Sequence, residues 1–191
     1  MGEFITRYEG RCWKFGSNIP TDALVKSQYV FEPMEEIVRH VLEDQNPRFP
    51  REVQPGDIVV AGFHFGQSSG RAIAAKALQA TGIGCVVSDA FSRTFYRNAF
   101  EIGLPSLEIA DATSIVSDGD RLVVDIAAGL FGNETTGVAR RTTPVDPFLL
   151  KMLAAGGLIS LTQSDPAWAE TTRAAPCLRK GVCPASRAYT P

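Results

Sequence analysis

Two serines and an arginine stand where an apolar run gives way to a helical pattern. The stretch Gly62-Phe-His-Phe-Gly-Gln-Ser-Ser-Gly-Arg-Ala-Ile-Ala-Ala-Lys-Ala-Leu78 follows Asp57-Ile-Val-Val-Ala61. The order is strand, small-residue turn, arginine, helix. It places Ser68, Ser69 and several backbone N–H groups at a helix N-terminus, where unpaired donors and the helix dipole stabilise an anion. Arg71, at about the first helical position, adds a planar cationic fork suited to a carboxylate. A serine hydroxyl held there can be tuned toward proton transfer. The loop therefore reads as carboxylate-binding and catalytic. The same residues have a purely structural reading, in which Ser68 or Ser69 caps the helix and Gly66 and Gly70 make the turn.

Other polar residues add little alone. Asp22 closes the turn-rich run Gly16-Ser-Asn-Ile-Pro-Thr-Asp22 and reads locally as an Asx turn or a helix cap. Of the two histidines, His40 falls on a helical pattern as a surface residue, and His64 lies close enough to the loop to reach it. A Ser69–His64–Asp22 nucleophilic set is conceivable on composition, but the loop lacks a Gly-x-Ser-x-Gly elbow.

The chain has 191 residues, 45% hydrophobic and 21% charged, which suits one domain with a full core. A net charge of −2 gives no electrostatic case for nucleic acid or an anionic membrane. No apolar run approaches the ~20 residues of a membrane span. The N-terminus Met1-Gly-Glu-Phe-Ile-Thr-Arg has no signal-peptide core, so a cytoplasmic location is expected. Of four cysteines, Cys12 and Cys85 sit in apolar strand-like runs and read as small core residues. Cys177 and Cys183 lie in a polar C-terminal stretch; a disulfide there conflicts with a reducing compartment, and neither zinc nor iron–sulfur ligand spacing is present.

The elements that must position the loop follow from periodicity. Tyr8–Phe15 alternates as a first strand. Met34–Asp44, with Met34, Ile37, Val38, Val41 and Leu42 at helical spacing behind Pro33, predicts a helix. Gln45–Pro55 reads as a loop. Asp57–Ala61 and Gly84–Ser88 are buried strands. Between them, Arg71–Thr81 is an Ala-rich helix stopped by Gly82. That makes a βαβ unit with parallel strands. Ser92–Ile102 is a helix closing at Gly103. Leu107–Ala110 and Arg121–Ile126 are strands, with Gly137–Arg140 pairing to the latter as a hairpin. Pro147–Ala155 is a helix ending at Gly156-Gly157. Past Ser164 the apolar period is lost, which predicts one domain over residues 1–163 and a mobile or extended tail over 164–191.

Three ordered segments resemble the small subunit of 3-isopropylmalate dehydratase, equivalent to the swivelling domain of aconitase, over roughly residues 8–160. Gly10-Arg-Cys-Trp-Lys-Phe-Gly-Ser-Asn-Ile-Pro-Thr-Asp22 looks like the family's opening. Gly56-Asp-Ile-Val-Val-Ala-Gly62 looks like its strand before the serine loop. Phe91-Ser-Arg-Thr-Phe-Tyr-Arg-Asn-Ala-Phe-Glu-Ile-Gly-Leu-Pro105 is similar to a long family signature. The resemblance implies an α/β fold, a swivelling β/β/α domain with a mixed sheet flanked by helices. It implies reversible dehydration of a hydroxy diacid such as isopropylmalate. A [4Fe-4S] cluster would sit on an aconitase-type large subunit, none on this chain, in a heterodimer or heterotetramer.

The family loop Phe-Gly-Cys-Gly-Ser-Ser-Arg-Glu-His-Ala aligns without gaps on Phe65-Gly-Gln-Ser-Ser-Gly-Arg-Ala-Ile-Ala74. In that register Ser69 falls on the catalytic serine, Gly70 on the second serine and Arg71 on the arginine. The family's Glu and His become Ala72 and Ile73. A shifted register, with Ser68 and Ser69 as the pair and Gly70 inserted, does not keep the helix length to Leu78. By resemblance Asp22 sits beside the catalytic serine. Arg71, Ser68 and Gly70 would contact substrate. Substrate choice would involve the segment after Asp22, where Val30 and Phe31 favour an alkyl group over an extra carboxylate. Lys26 there is either a carboxylate partner or a solvated lysine. Two other readings remain: a cluster-independent diacid isomerase acting as a homo-oligomer, and a non-catalytic carboxylate-binding subunit.

Overall fold

The computed structural model describes residues 5–164. The expectations for the C-terminal stretch, with Cys177 and Cys183, lie outside the described residues.

Among the described residues seven strands form one sheet: β1 (Arg7–Lys14), β2 (Ile58–Phe65), β3 (Cys85–Phe91), β4 (Ser106–Glu108), β5 (Arg121–Asp125), β6 (Leu130–Asn133) and β7 (Val138–Arg141). Their spatial order is β4-β3-β2-β1-β5-β6-β7. From β4 to β1 the pairs are parallel; from β1 through β7 they are antiparallel. The sheet is therefore mixed and flanked by helices, as expected.

Strand alternation divides the core between the two faces. Trp13, Val59, Ala61 and Val86 go to one cluster, with Leu24, Phe49, Leu78 and Phe95. Cys12, Ile58, Val60, Cys85 and Val87 go to the other, with Phe100, Leu122, Val124 and Met152. Both faces of β2 and β3 are dry, which is why those strands read as continuous apolar runs rather than alternating ones. Cys12 and Cys85 are fully buried, as expected. Burial, reinforced by the Asp118 and Asp120 charges, pushes the Cys12 thiol up to about 12, and burial also raises Cys85.

The helices are α1 (Thr21–Leu24), α2 (Met34–Val38), α3 (Phe49–Glu52), α4 (Ile73–Ala80), α5 (Arg93–Ile102), α6 (Pro147–Ala154) and α7 (Leu158–Ser164). α5 forms as the sequence predicts. Ser92 caps it by accepting from Phe95 N–H at 3.2 Å, and Gly103 ends it at φ 82°.

Four expectations are corrected. The helix over Met34–Asp44 stops at Val38, because the chain turns through Leu42 at φ 55° and Leu42 N–H donates to Ala23 O. Ile37, Val41 and Leu42 are buried all the same, so the period reported burial correctly and helix length wrongly. The loop over Gln45–Pro55 contains α3, with Pro50 in its first turn. The hairpin partner of Gly137–Arg140 is not β5: β6 lies between, and β7 pairs only with β6. β6 is four residues long with Gly132 inside, a pattern too short to show alternation. The helix after the serine loop begins at Ile73, not Arg71.

Candidate functional site

The serine loop is reached by two chain segments running side by side past the end of the sheet. β2 continues beyond the apolar run to Phe65, through a bulge at His64. The segment after β1 follows it closely. Phe15 N–H donates to Val60 O, Gly62 N–H to Gly16 O and Asn18 N–H to Phe63 O. Gly66 N–H donates to Ile19 O and Thr21 N–H to Gln67 O. Residues 15–21 are thus zipped to residues 60–67. That ladder carries Asp22 to the serine loop from far away in the chain.

From the other side α5 grips the loop. Ser92 Oγ donates to Gly66 O at 2.7 Å, and Asn98 Nδ2 donates to Gly70 O at 3.0 Å. Gly66, at φ +76°, lies under the Phe95 ring so closely that a Cβ would overlap it. Only glycine satisfies both conditions.

Between these supports, Arg71 organises the polar groups. Its backbone N–H donates to Ser69 Oγ at 3.3 Å, and its Nε donates to the same oxygen at 3.1 Å. Its Nη2 reaches Asp22 Oδ1 at 3.4 Å. Ser27 Oγ donates to the same carboxylate oxygen at 3.4 Å. Ser68 Oγ pairs with Thr21 Oγ1 at 3.2 Å. Neither serine caps α4, whose N-cap is Ala72 with no side-chain bond. The capping reading is set aside, and so is Arg71 as a first helical residue.

Of the residues singled out in the sequence, Asp22, Ser69 and Arg71 come together, with Ser68 adjoining. Val30 joins Thr21, Asp22, Val25, Arg71, Ile73 and Ala74 around a crevice too narrow to admit even a water molecule. Small-molecule sites usually enclose ~300–1,000 Å³, so this is one wall of a site rather than a pocket. A roomier apolar cleft of about 480 Å³ lies near Phe100, Leu149 and Met152, away from the serine loop. Chemistry, not volume, selects the loop.

Lys26 is engaged elsewhere. Its Nζ sits 2.7 Å from Glu43 and 2.8 Å from Asp44. Hydrogen bonds to Asp44 and Glu43 raise its pKa. Phe31 is 97% exposed. His64 is exposed in the β2 bulge while Ser69 bonds to Arg71, so the nucleophilic set with His64 is not assembled. Thr21, Ser27 and Asn98 were missed as candidates. Thr21 adjoins Asp22 in the turn-rich run Gly16–Asp22, but Ser27 and Asn98 carry no local signal.

Ser68 has φ 83°, backbone that favours glycine. The ungapped alignment puts Ser68 on the family's glycine and Ser69 on its serine, so the backbone supports that register over the shifted one.

Among the described residues no group of three or more His, Cys, Asp and Glu could hold a metal ion, and the two described cysteines are buried thiols far from the loop. These residues do not fit an iron–sulfur cluster. No helix among them is long and apolar enough to cross a membrane.

The chain matches the model of the aconitase C-terminal domain over residues 24–112. It is 42% identical to the 3-isopropylmalate dehydratase small subunit of Nautilia profundicola, covering 81% of this chain and 93% of that protein. It is 41% identical to the isopropylmalate/citramalate isomerase small subunit of Methanocaldococcus jannaschii, covering 79% and 90%. A crystal structure of 3-isopropylmalate dehydratase from Methanocaldococcus jannaschii superposes with a TM-score of 0.79 at 29% identity, covering 87% of this chain and 99% of that one. With the mixed sheet, the serine loop after β2 and this extent of identity in agreement, the chain belongs to the 3-isopropylmalate dehydratase small-subunit family, within the aconitase family.

Proposed function

We propose that this chain, through residues 1–163, is the small subunit of an aconitase-type hydro-lyase acting on a 2-alkylmalate-type hydroxy diacid such as 3-isopropylmalate, with Ser69 as the proton-transfer base. One observation carries the assignment of the base: both Arg71 N–H and Arg71 Nε donate to Ser69 Oγ. Hydrogen bonds to the charged form of a group favour that form, so two donors and an adjacent cation stabilise a serine alkoxide.

In the dehydration direction Ser69 takes the proton from the substrate carbon. The electron pair of that C–H bond becomes the new C=C bond, and the C–O bond breaks with its pair on the departing hydroxyl. Hydration is the reverse. Arg71 binds a substrate carboxylate through its Nη atoms, displacing Asp22 from a long and exposed contact. Asp22 keeps the guanidinium oriented when no substrate is present. Ser68 and the Gly70 backbone line the carboxylate's approach. Val30, on the crevice wall, faces an alkyl substituent, and Phe31, exposed beside it, would meet that substituent only with the partner in place. Lys26 can join the carboxylate only by giving up Glu43 or Asp44.

The relatives are named small subunits, which implies a large-subunit partner. The narrow crevice supports this, because a diacid needs a second wall. The reading assigns to that partner a [4Fe-4S] cluster, which as a Lewis acid would assist loss of the hydroxyl.

The test is hydro-lyase activity on 3-isopropylmalate, with and without an anaerobically reconstituted large subunit, for wild type and Ser69→Ala. Activity only in the complex, lost in Ser69→Ala, is expected. Turnover by the isolated chain without iron would replace this reading with the cluster-independent isomerase. Carboxylate binding without turnover in the intact complex would replace it with the non-catalytic subunit.

A further inference from the structure

Asn98 plays no part in the chemistry described so far, yet it holds the one peptide on which that chemistry depends. It lies in α5, is 9% exposed, and donates from Nδ2 to Gly70 O at 3.0 Å. In a trans peptide the carbonyl of one residue and the N–H of the next point in opposite directions. Holding Gly70 O toward Asn98 therefore turns Arg71 N–H away from α5. That is the side on which it donates to Ser69 Oγ.

The restraint matters because little else fixes this peptide. Residues 68–72 lie outside regular helix and strand. Gly70 is exposed, and no other hydrogen bond to its carbonyl is found among the described residues. The Thr94 methyl stands 3.2 Å from where a Gly70 Cβ would be, so α5 also crowds the loop at this point. At the loop's other end Ser92 and Phe95 hold Gly66. One helix thus fixes both ends of the segment that carries Ser69.

We infer that Asn98 is a positioning residue for proton transfer: by holding the Gly70–Arg71 peptide it places Arg71 N–H on Ser69 Oγ. The inference rests on the reading of Ser69 as base. Asn98 acts through the peptide, and the Nη atoms of Arg71 remain available for a carboxylate. Its loss should therefore act on kcat and spare KM. Displacement of a reacting group by about 1 Å costs up to about 10²-fold in rate. Because Gly70 is exposed, water can pair its carbonyl once Asn98 is gone, so the variants should fold.

The experiment compares Asn98→Ala and Asn98→Asp with Gln79→Ala in the complex with the large subunit. Gln79 makes a bond of the same kind, Nε2 to Ile102 O at 3.0 Å, at the opposite end of α5. With 3-isopropylmalate, both Asn98 variants should lower kcat about 10- to 100-fold with KM within about threefold. Amide exchange across residues 66–72 in the complex should speed up. Gln79→Ala should leave both kcat and that exchange unchanged. An Asn98→Ala enzyme with wild-type kcat, or an equal loss in Gln79→Ala, would overturn the proposal. If Asn98→Asp does not assemble, Asn98→Ala decides. A fully active Ser69→Ala would sink the reading of Ser69 instead, and unchanged loop exchange in Asn98→Ala would still by itself refute the hold on the peptide.

Discussion

Two cations, Lys26 four residues after Asp22 and Arg71 in the serine loop, meet very different surroundings. Lys26 is saturated, with carboxylates at 2.7 and 2.8 Å. Its partner Glu43 is also bonded to His40 at 2.7 Å, and His40 reaches Glu36 and stacks on Tyr29 at 4.0 Å. That cluster closes on itself. Arg71 faces Asp22 at 3.4 Å, both side chains about half exposed, and shares a serine hydroxyl with its own backbone. Long contacts between exposed charges are weak and exchange readily with an incoming anion. A closed cluster braces the segment it sits on; an open one is available to a ligand. The same residue types therefore give a strut in one place and a candidate site in the other.

The contrast can be broken at several points. Ser69→Ala in the assembled enzyme should lower kcat by about 10²–10⁴, the range for removing a general base. A residual rate near wild type would remove the chemical half of the comparison. Arg71→Lys loses the planar fork and the Nε bond to Ser69, keeping only the backbone N–H bond, and should raise KM for 3-isopropylmalate about tenfold or more. Lys26→Met, by contrast, should leave KM within about twofold, since a cation already paired adds no uniform binding. A KM rise matching that of Arg71→Lys would show that Lys26 leaves its carboxylates for substrate.

The closed cluster should also show itself in pH dependence. The hydrogen bond to Glu43 raises the pKa of His40 against an opposing burial effect, with Glu36 adding to the rise. For Glu43, burial pushes upward, but bonds from Lys26 and His40 outweigh it and lower its pKa. A raised His pKa stabilises fully below the unfolded value near 6.5 and is lost as pH climbs through the folded value. A lowered Glu pKa stabilises above its unfolded value near 4.3 and is lost as pH falls through the folded value. The Tm advantage of wild type over His40→Gln should therefore peak between about pH 4.5 and 6.5 and shrink on the alkaline side. An advantage that grows with pH would contradict the cluster.

The smallest expected effect concerns the loop backbone. Ser68→Gly and Ser68→Ala both lose the bond to Thr21, but only glycine relieves φ 83°. Glycine should exceed alanine by about 1 kcal/mol, or about 2–4 °C in Tm for a chain this size. Equal stability would deny that this position is strained, and with it the structural support for the ungapped register.

Much of the fold was legible where one element's own pattern suffices. β1, β2, β3, β5, α5 and α6 carry unbroken apolar periods, and α5 also carries its cap and its stop. The misses share a cause. α2 ends early because Leu42 bonds to Ala23 O, a partner well outside any local window. β6 is a strand because β5 and β7 flank it, not because Leu-Phe-Gly-Asn prefers to be one. The serine loop was found from its small residues and arginine, and the likeness of Gly10–Asp22 to the family's opening segment pointed to Asp22.

The sequence by itself determined the candidate chemistry of this protein: a serine pair, an arginine and an acid, beside central strands apolar enough to bury both faces. The tertiary structure alone decided who meets whom. It spent Lys26 on Glu43 and Asp44, left Arg71 on a long contact, and put Asn98 behind Gly70. Periodicity follows from local backbone geometry and can be read along the chain, whereas pairing depends on distances set by packing between segments that the sequence keeps far apart.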